Sequence, residues 1–164
     1  MFTAFFGQFY YDRQGQEALF NESQAQLNMA FGAINTLLLL TASLFVVLGV
    51  NRIKSARANA AARLFQMAWW CGAGFAVNKV FEYGGKLSAG ITPLTNDFYM
   101  YYYVFTGIHV LHLLIGMVFL GYMRQMLLDE RTTVRLPFIE VGASYWHLVD
   151  LLWVVLFPIL YIVN

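Results

Sequence analysis

Residues 98–122 read FYMYYYVFTGIHVLHLLIGMVFLGY, 25 residues without an Asp, Glu, Lys or Arg. Roughly 30 Å of hydrocarbon takes about 20 helical residues to cross, because no backbone N–H or C=O can be left unpaired in lipid. The stretch is therefore predicted to be a transmembrane helix. No period-two alternation points to a barrel strand.

Working outward, Met29 to Val50, Ala62 to Tyr83 and Ile139 to Val163 are apolar over similar lengths. The predicted fold is an all-α membrane protein with four full transmembrane helices and a truncated N-terminal half-helix over residues 1–11, in one domain over 1–164. Composition agrees, with 60% hydrophobic, 18% aromatic and only 12% charged residues, against roughly 25% charged in soluble domains. A net charge of +1 gives no clustered basic face for nucleic acid. The one cysteine, Cys71, excludes an intrachain disulfide and a thiolate metal cluster, and reads as a small buried hydrophobe.

The joints set an orientation. Asn51 to Arg63 carries Arg52, Lys54, Arg57 and Arg63, and Met123 to Leu136 carries Arg124, Arg131 and Arg135. The excess of basic residues places both joints on the cytoplasmic side. Gly84 to Asp97, which holds one lysine, Lys86, and the C-terminus fall on the opposite side. Pro137 suits the first turn of the last helix, and Pro158 near its far end is a place for a kink. The first 28 residues break the pattern: Met1 to Tyr11 is apolar for only half a membrane thickness before Asp12, Arg13 and Glu17. It reads either as an interfacial amphipathic segment or as the tail of a transmembrane helix whose beginning is missing. Asn21 to Asn28 reads as an exposed connection.

Ionisable groups at membrane depth cost at least about 2.5–3.5 kcal/mol each on insertion scales and need a reason. His109 lies about 11 residues into the third span, as Asp150 does in the fourth; at 1.5 Å per residue both fall near the midplane, with His112 and His147 at another shared depth. Glu140 precedes His147 by seven residues and shares its helical face. The expectation is a polar seam of His109, His112, Glu140, His147 and Asp150 between spans three and four. Mutual satisfaction across a helix interface competes there with a proton relay and with metal or heme ligation. The ligand set for a di-iron bundle is incomplete, so no metal and no catalytic residue is assigned. Lys79 and Glu82, three apart, are expected to form an interfacial ion pair or a lipid headgroup contact. Asn35, Thr36, Thr106, Gly107 and Gly116 are assigned to helix packing. Tyr99, Tyr101, Tyr102 and Tyr103 read as an aromatic belt at headgroup level.

Three motifs together resemble cytochrome c oxidase subunit III, a family of the heme-copper oxidase complexes. Phe105 to Gly116 (FTGIHVLHLLIG) is similar to the T-G-x-H-x-x-H-x-x-x-G helix, and Glu140 to Trp153 (EVGASYWHLVDLLW) to the E-x-x-x-x-Y-W-H-x-V-D-x-x-W signature. Glu82-Tyr83 ahead of a Gly-rich turn is the third. The family's first two helices have no counterpart, a departure that resembles the short NorE-type branch associated with nitric oxide reductase; Met1 to Tyr11 looks like the end of the family's third helix. The resemblance implies an accessory, non-catalytic subunit in a bacterial inner membrane, with bound phospholipid, no redox cofactor, and the catalytic subunit of a heme-copper oxidase or nitric oxide reductase as partner. Two alternatives stand beside it. One is an oxidase subunit III of reduced length; the other is a small membrane redox or proton-relay protein using the His and Asp cluster.

Overall fold

The computed structural model describes residues 29–55, 57–91, 97–129 and 136–161. They form four α-helices: α1, Met29–Lys54; α2, Ala58–Ser88; α3, Asp97–Leu128; and α4, Leu136–Tyr161. The expected half-helix over 1–11, the connection 21–28, Pro93, Arg131, Arg135 and the last three residues lie outside the described residues.

All four helices outrun their apolar stretches. α1 continues through the charged NRIK run, placing Arg52 and Lys54 in its last turn, where cations favour the helix dipole. α2 starts four residues later on an alanine-rich turn, the strongest helix-forming composition. It also passes through Gly84 and Gly85, where a turn was expected, and stops at Ser88. There the chain closes a Schellman motif: Gly90 takes φ 76°, its N–H donates to Leu87 O, and the Ile91 N–H donates to Lys86 O at 3.0 Å. The sequence-based end at Tyr83 was early because the turn glycine is Gly90, which has the left-handed backbone.

α1, α3 and α4 are each long and apolar enough to cross a membrane. α2 has the length, at 31 residues, but it carries Arg63, Lys79, Glu82 and Lys86 and is not among the helices that are also apolar enough. Four uniformly apolar spans are thus not what the helices present. The reason lies inside the bundle, where Lys79, Glu82 and Lys86 are all buried.

The helices close into a ring, each packed on its neighbours in sequence and α4 returning onto α1. Leu39, Ala42 and Val46 bring one stripe of α1 into the core, against Phe65 and Phe75 of α2, Leu113 and Leu120 of α3, and Trp146, Trp153 and Leu156 of α4. Apolar side chains also point outward on every helix, Leu37, Phe81, Val118 and Leu151 among them. For a helix hydrophobic all round, packing contacts and interhelical hydrogen bonds hold the bundle, since lipid is as apolar as the core.

Small residues decide how closely the helices approach. A Cβ on Gly116 would lie 3.0 Å from the Trp146 ring, and one on Gly72 would meet the same indole from α2, also at 3.0 Å. Trp146 is therefore seated between two glycines. Gly107, expected at a packing contact, has nothing within 4 Å of such an atom and faces outward.

Candidate functional site

The most deeply buried charges lie on α2. Lys79, Glu82 and Lys86 stand at i, i+3 and i+7, one face of a helix, and that face turns inward toward α3 and α4. The Lys79 and Glu82 side chains are only 1% and 5% exposed, and Lys79 Nζ donates to Glu82 Oε2 at 2.7 Å. The ammonium also donates to the Tyr161 hydroxyl at 2.9 Å and to the Tyr102 hydroxyl at 3.3 Å. Those two phenols donate in turn to the other carboxylate oxygen, Glu82 Oε1, at 2.6 Å and 2.7 Å. Trp153 completes the shell with its ring centroid 4.9 Å from Lys79 Nζ, a cation–π distance. One carboxylate, one ammonium and two phenols thus satisfy one another across three helices. Lys86 lies a turn farther out, its ammonium over the rings of Tyr99 and Tyr102 at 5.5 and 5.2 Å.

This geometry corrects two sequence-based expectations. Lys79 and Glu82 pair, but in the interior and not at a lipid interface, because two tyrosines supply the donors that water or headgroups would otherwise give. Tyr99, Tyr101 and Tyr102 are buried and form no outward belt. Tyr102 turns inward to reach Glu82. Beside it Thr106 donates to Tyr102 O at 2.6 Å and shares a hydrogen bond with the Tyr83 hydroxyl of α2.

The seam expected between the third and fourth helices is found elsewhere. Glu140 pairs with Lys54 of α1 at 2.9 Å, His147 Nδ1 lies 2.6 Å from the Ser43 hydroxyl of α1, and Trp153 Nε1 donates to Thr36 of α1 at 3.0 Å. The polar face of α4 is therefore read by α1. Matching depths along two antiparallel helices do not say which neighbour a side chain faces, and here the closed ring gives α4 two. Asp150 sits next to the same serine and near His147, and its Oδ1 is buried without a partner. Of the two α3 histidines, His109 has no hydrogen bond to the partners expected for it. His109 is fully buried between Phe75 and Trp153, with ring centroids at 5.5 and 5.2 Å, and neither ring nitrogen has a hydrogen-bond partner. His112 Nδ1 lies 2.7 Å from Ile108 O of its own helix, and its carbonyl accepts from Tyr145 at 3.3 Å. Among the described residues no three His, Cys, Asp or Glu side chains converge as a metal-ligand group.

On the α1–α2 side, Asn78 Nδ2 donates to Asn35 Oδ1 at 2.6 Å, and Thr36 donates to Gly32 O while accepting from Trp153. Ser43, Asn78 and Tyr161 were not legible as polar partners, since their roles exist only once helices distant in sequence are juxtaposed. The spacing of Lys79, Glu82 and Lys86 did carry a signal. Ending the helix at Tyr83 hid it.

At the end where α1 finishes and α2 begins, Arg52, Arg57, Asn59, Arg63, Gln66 and Arg124 line adjoining cavities between α2 and its neighbours, with Met67, Trp69 and Trp70 forming apolar walls. A second cavity, of about 350 Å³, opens between α1 and α4 over Asn51, Lys54, Glu140, Ser144 and His147.

Residues 24–164 match the family model described as cytochrome c oxidase subunit III. Cytochrome c oxidase subunit 3 of Thermostichus vulcanus is 32% identical over 133 residues, covering 80% of this chain and 65% of that one. The protein of the same name in Corynebacterium diphtheriae is 25% identical over 144 residues, 87% of this chain and 70% of the relative. The heme-copper oxidase subunit I+III of Aeropyrum pernix is 30% identical over 139 residues, which make up 80% of this chain and 16% of that longer one. The chain thus spans about two thirds of the length of the subunit 3 relatives.

Proposed function

The chain belongs to the cytochrome c oxidase subunit III family and is a multi-pass membrane protein, and from that premise we propose that it is a non-catalytic accessory subunit of a heme-copper oxidase complex. The observation that carries this reading is the closed cluster of Lys79, Glu82, Tyr102 and Tyr161. Lys79 and Glu82, a buried ammonium and a buried carboxylate, satisfy one another together with the two phenols, fixing the relation of α2, α3 and α4, while large apolar side chains cover the outside. Such a body offers a rigid apolar surface to a neighbouring subunit. That the Aeropyrum pernix relative is named as subunits I and III together supports a heme-copper catalytic subunit as the neighbour.

In the bacterial inner membrane α2 serves as a fourth span, its charges shielded by α3 and α4. The end of the bundle with Arg52, Lys54, Arg57, Arg63 and Arg124 faces the cytoplasm, and the far end of α4 faces the periplasm. The basic cavities beside α2 suit a phospholipid, with a phosphate at the guanidinium groups and acyl chains along Trp69 and Trp70. An oxygen-reducing oxidase, whose subunit 3 names the relatives carry, fits as a partner as well as a nitric oxide reductase with a NorE-type subunit does.

Mild detergent extraction of the native membrane, followed by capture of the chain, tests the proposal. The expected result is a heme-bearing catalytic subunit in equimolar amount, and assay of the captured complex for oxygen or nitric oxide reduction assigns the branch. Stoichiometric heme, iron or copper bound to the isolated chain would sink the accessory reading.

A further inference from the structure

One polar feature is not closed within the bundle. The cavity between α1 and α4 opens where Lys54 and Glu140 pair, and these two side chains are 52% and 48% exposed. Asn51 and Ser144 line its walls, and the His147 ring reaches it from α4. Behind that ring, one helical turn deeper, Ser43 lies 2.6 Å from His147 Nδ1 and beside the Asp150 carboxyl. Asp150 is buried and its Oδ1 has no partner. A carboxylate oxygen in that position, far from the ammonium of Lys54 at the mouth, calls for a proton or another cation. Every group between it and the cavity is one that both donates and accepts a proton.

We propose that Asp150 is a proton-binding site reached only from the basic end of the bundle, through the cavity, His147 and Ser43. In one passage a proton from cavity water is taken by the outer nitrogen of the His147 ring, and the proton on Nδ1 passes to Ser43 Oγ. The Ser43 hydroxyl proton passes to the Asp150 carboxylate, leaving a neutral acid; a flip of the neutral imidazole then turns Nδ1 to cavity water, which protonates it as Nε2 gives its proton up to water, and the flip back restores the starting tautomer. No electron moves, and one proton leaves water for each one bound. The groups facing this path are Lys54, Asn51 and Ser43 from α1 and Glu140, Ser144 and His147 from α4. From α3 the titratable groups on the α4 side are His112, whose ring is engaged with its own helix at Ile108 O, and His109, which packs against Trp153. The site goes beyond the accessory-subunit reading and does not depend on it, since it uses this chain's residues alone.

The test is infrared spectroscopy of the full chain in lipid bilayers, following the C=O stretch of a protonated carboxylic acid. The expected result is a band that carbon-13-labelled aspartate shifts and Asp150→Asn removes, and that responds to perfusion with D₂O. His147→Leu, which breaks the relay, and Ser144→Phe, which fills the cavity, are expected to keep the band but slow its deuterium response. For His147→Leu the slowing is about 10²-fold or more, the size of effect that a positioned proton-transfer group has. The isotope label identifies the band even where Asp150→Asn does not accumulate. Absence of an aspartic acid band overturns the proposal. So does a band in the unmodified chain that stays unexchanged for hours, or one that exchanges equally fast in His147→Leu and Ser144→Phe.

Discussion

Two polar regions of the bundle use the same chemistry under opposite conditions. The Lys79–Glu82 pair is sealed among α2, α3 and α4, and the Lys54–Glu140 pair, at nearly the same separation, stands in the open at the other end. Removing one partner of a sealed pair leaves an uncompensated charge where nothing solvates it, whereas an exposed pair exchanges its partner for water or a headgroup. Distance alone does not rank these contacts. Burial does, and it shows which pair holds the helices together.

The sharpest way to break this contrast is to neutralise half of the sealed pair. Lys79→Met is expected to destabilise the chain by about 3–5 kcal/mol, read as the shift in a denaturation midpoint in detergent. Adding Glu82→Leu should recover a large part of that loss; a double variant no more stable than the single one would mean the pair is not the source of the effect. Next in size, Gly116→Val presses a branched side chain into the Trp146 indole, 3.0 Å from where its Cβ falls. It should cost about 1–3 kcal/mol by overpacking. Gly107→Ala, on the same helix but in open space, should be neutral or stabilising by up to about 1 kcal/mol, because alanine is the better helix former. Equal effects of Gly116→Val and Gly107→Ala would remove the seated indole from the account. A smaller change is expected for Asn78→Ala, which deletes the bond to Asn35 between α1 and α2: about 0.6 kcal/mol, the average for interhelical hydrogen bonds in membranes. Least of all, Lys54→Ala should change stability by about 0–1 kcal/mol, and by less as salt is raised. A loss as large as that of Lys79→Met would erase the contrast between the two ends.

Much of the helical fold was legible in the sequence, but the site was only partly so. Uninterrupted apolar runs placed α1, α3 and α4 to within six residues at each end, because the length of a bilayer span is a one-dimensional property. The end of α2 was misplaced because Gly84 and Gly85 permit a turn without requiring one, and Gly90 is the residue with positive φ. Asn35, Thr36, His147 and Asp150 were recognised as polar groups needing partners. Their partners were not recoverable: depth along an axis is readable from residue number, but direction around the axis is not. Glu140 and His147 of α4 were accordingly expected to face α3 and lie against α1.

The sequence by itself determined that this chain is a helical membrane protein, which of its ends is basic, and, through its Tyr-Trp-His-x-Val-Asp string, the family it belongs to. Each of these follows from local composition or from a linear motif. Only the tertiary structure decided that Lys79 and Glu82 are the sealed centre, that Tyr102 and Tyr161 complete it, and that the polar face of α4 is answered by α1. A side chain's cost in the membrane depends on what surrounds it on all sides, and helices brought together across 20 to 117 residues supply those surroundings.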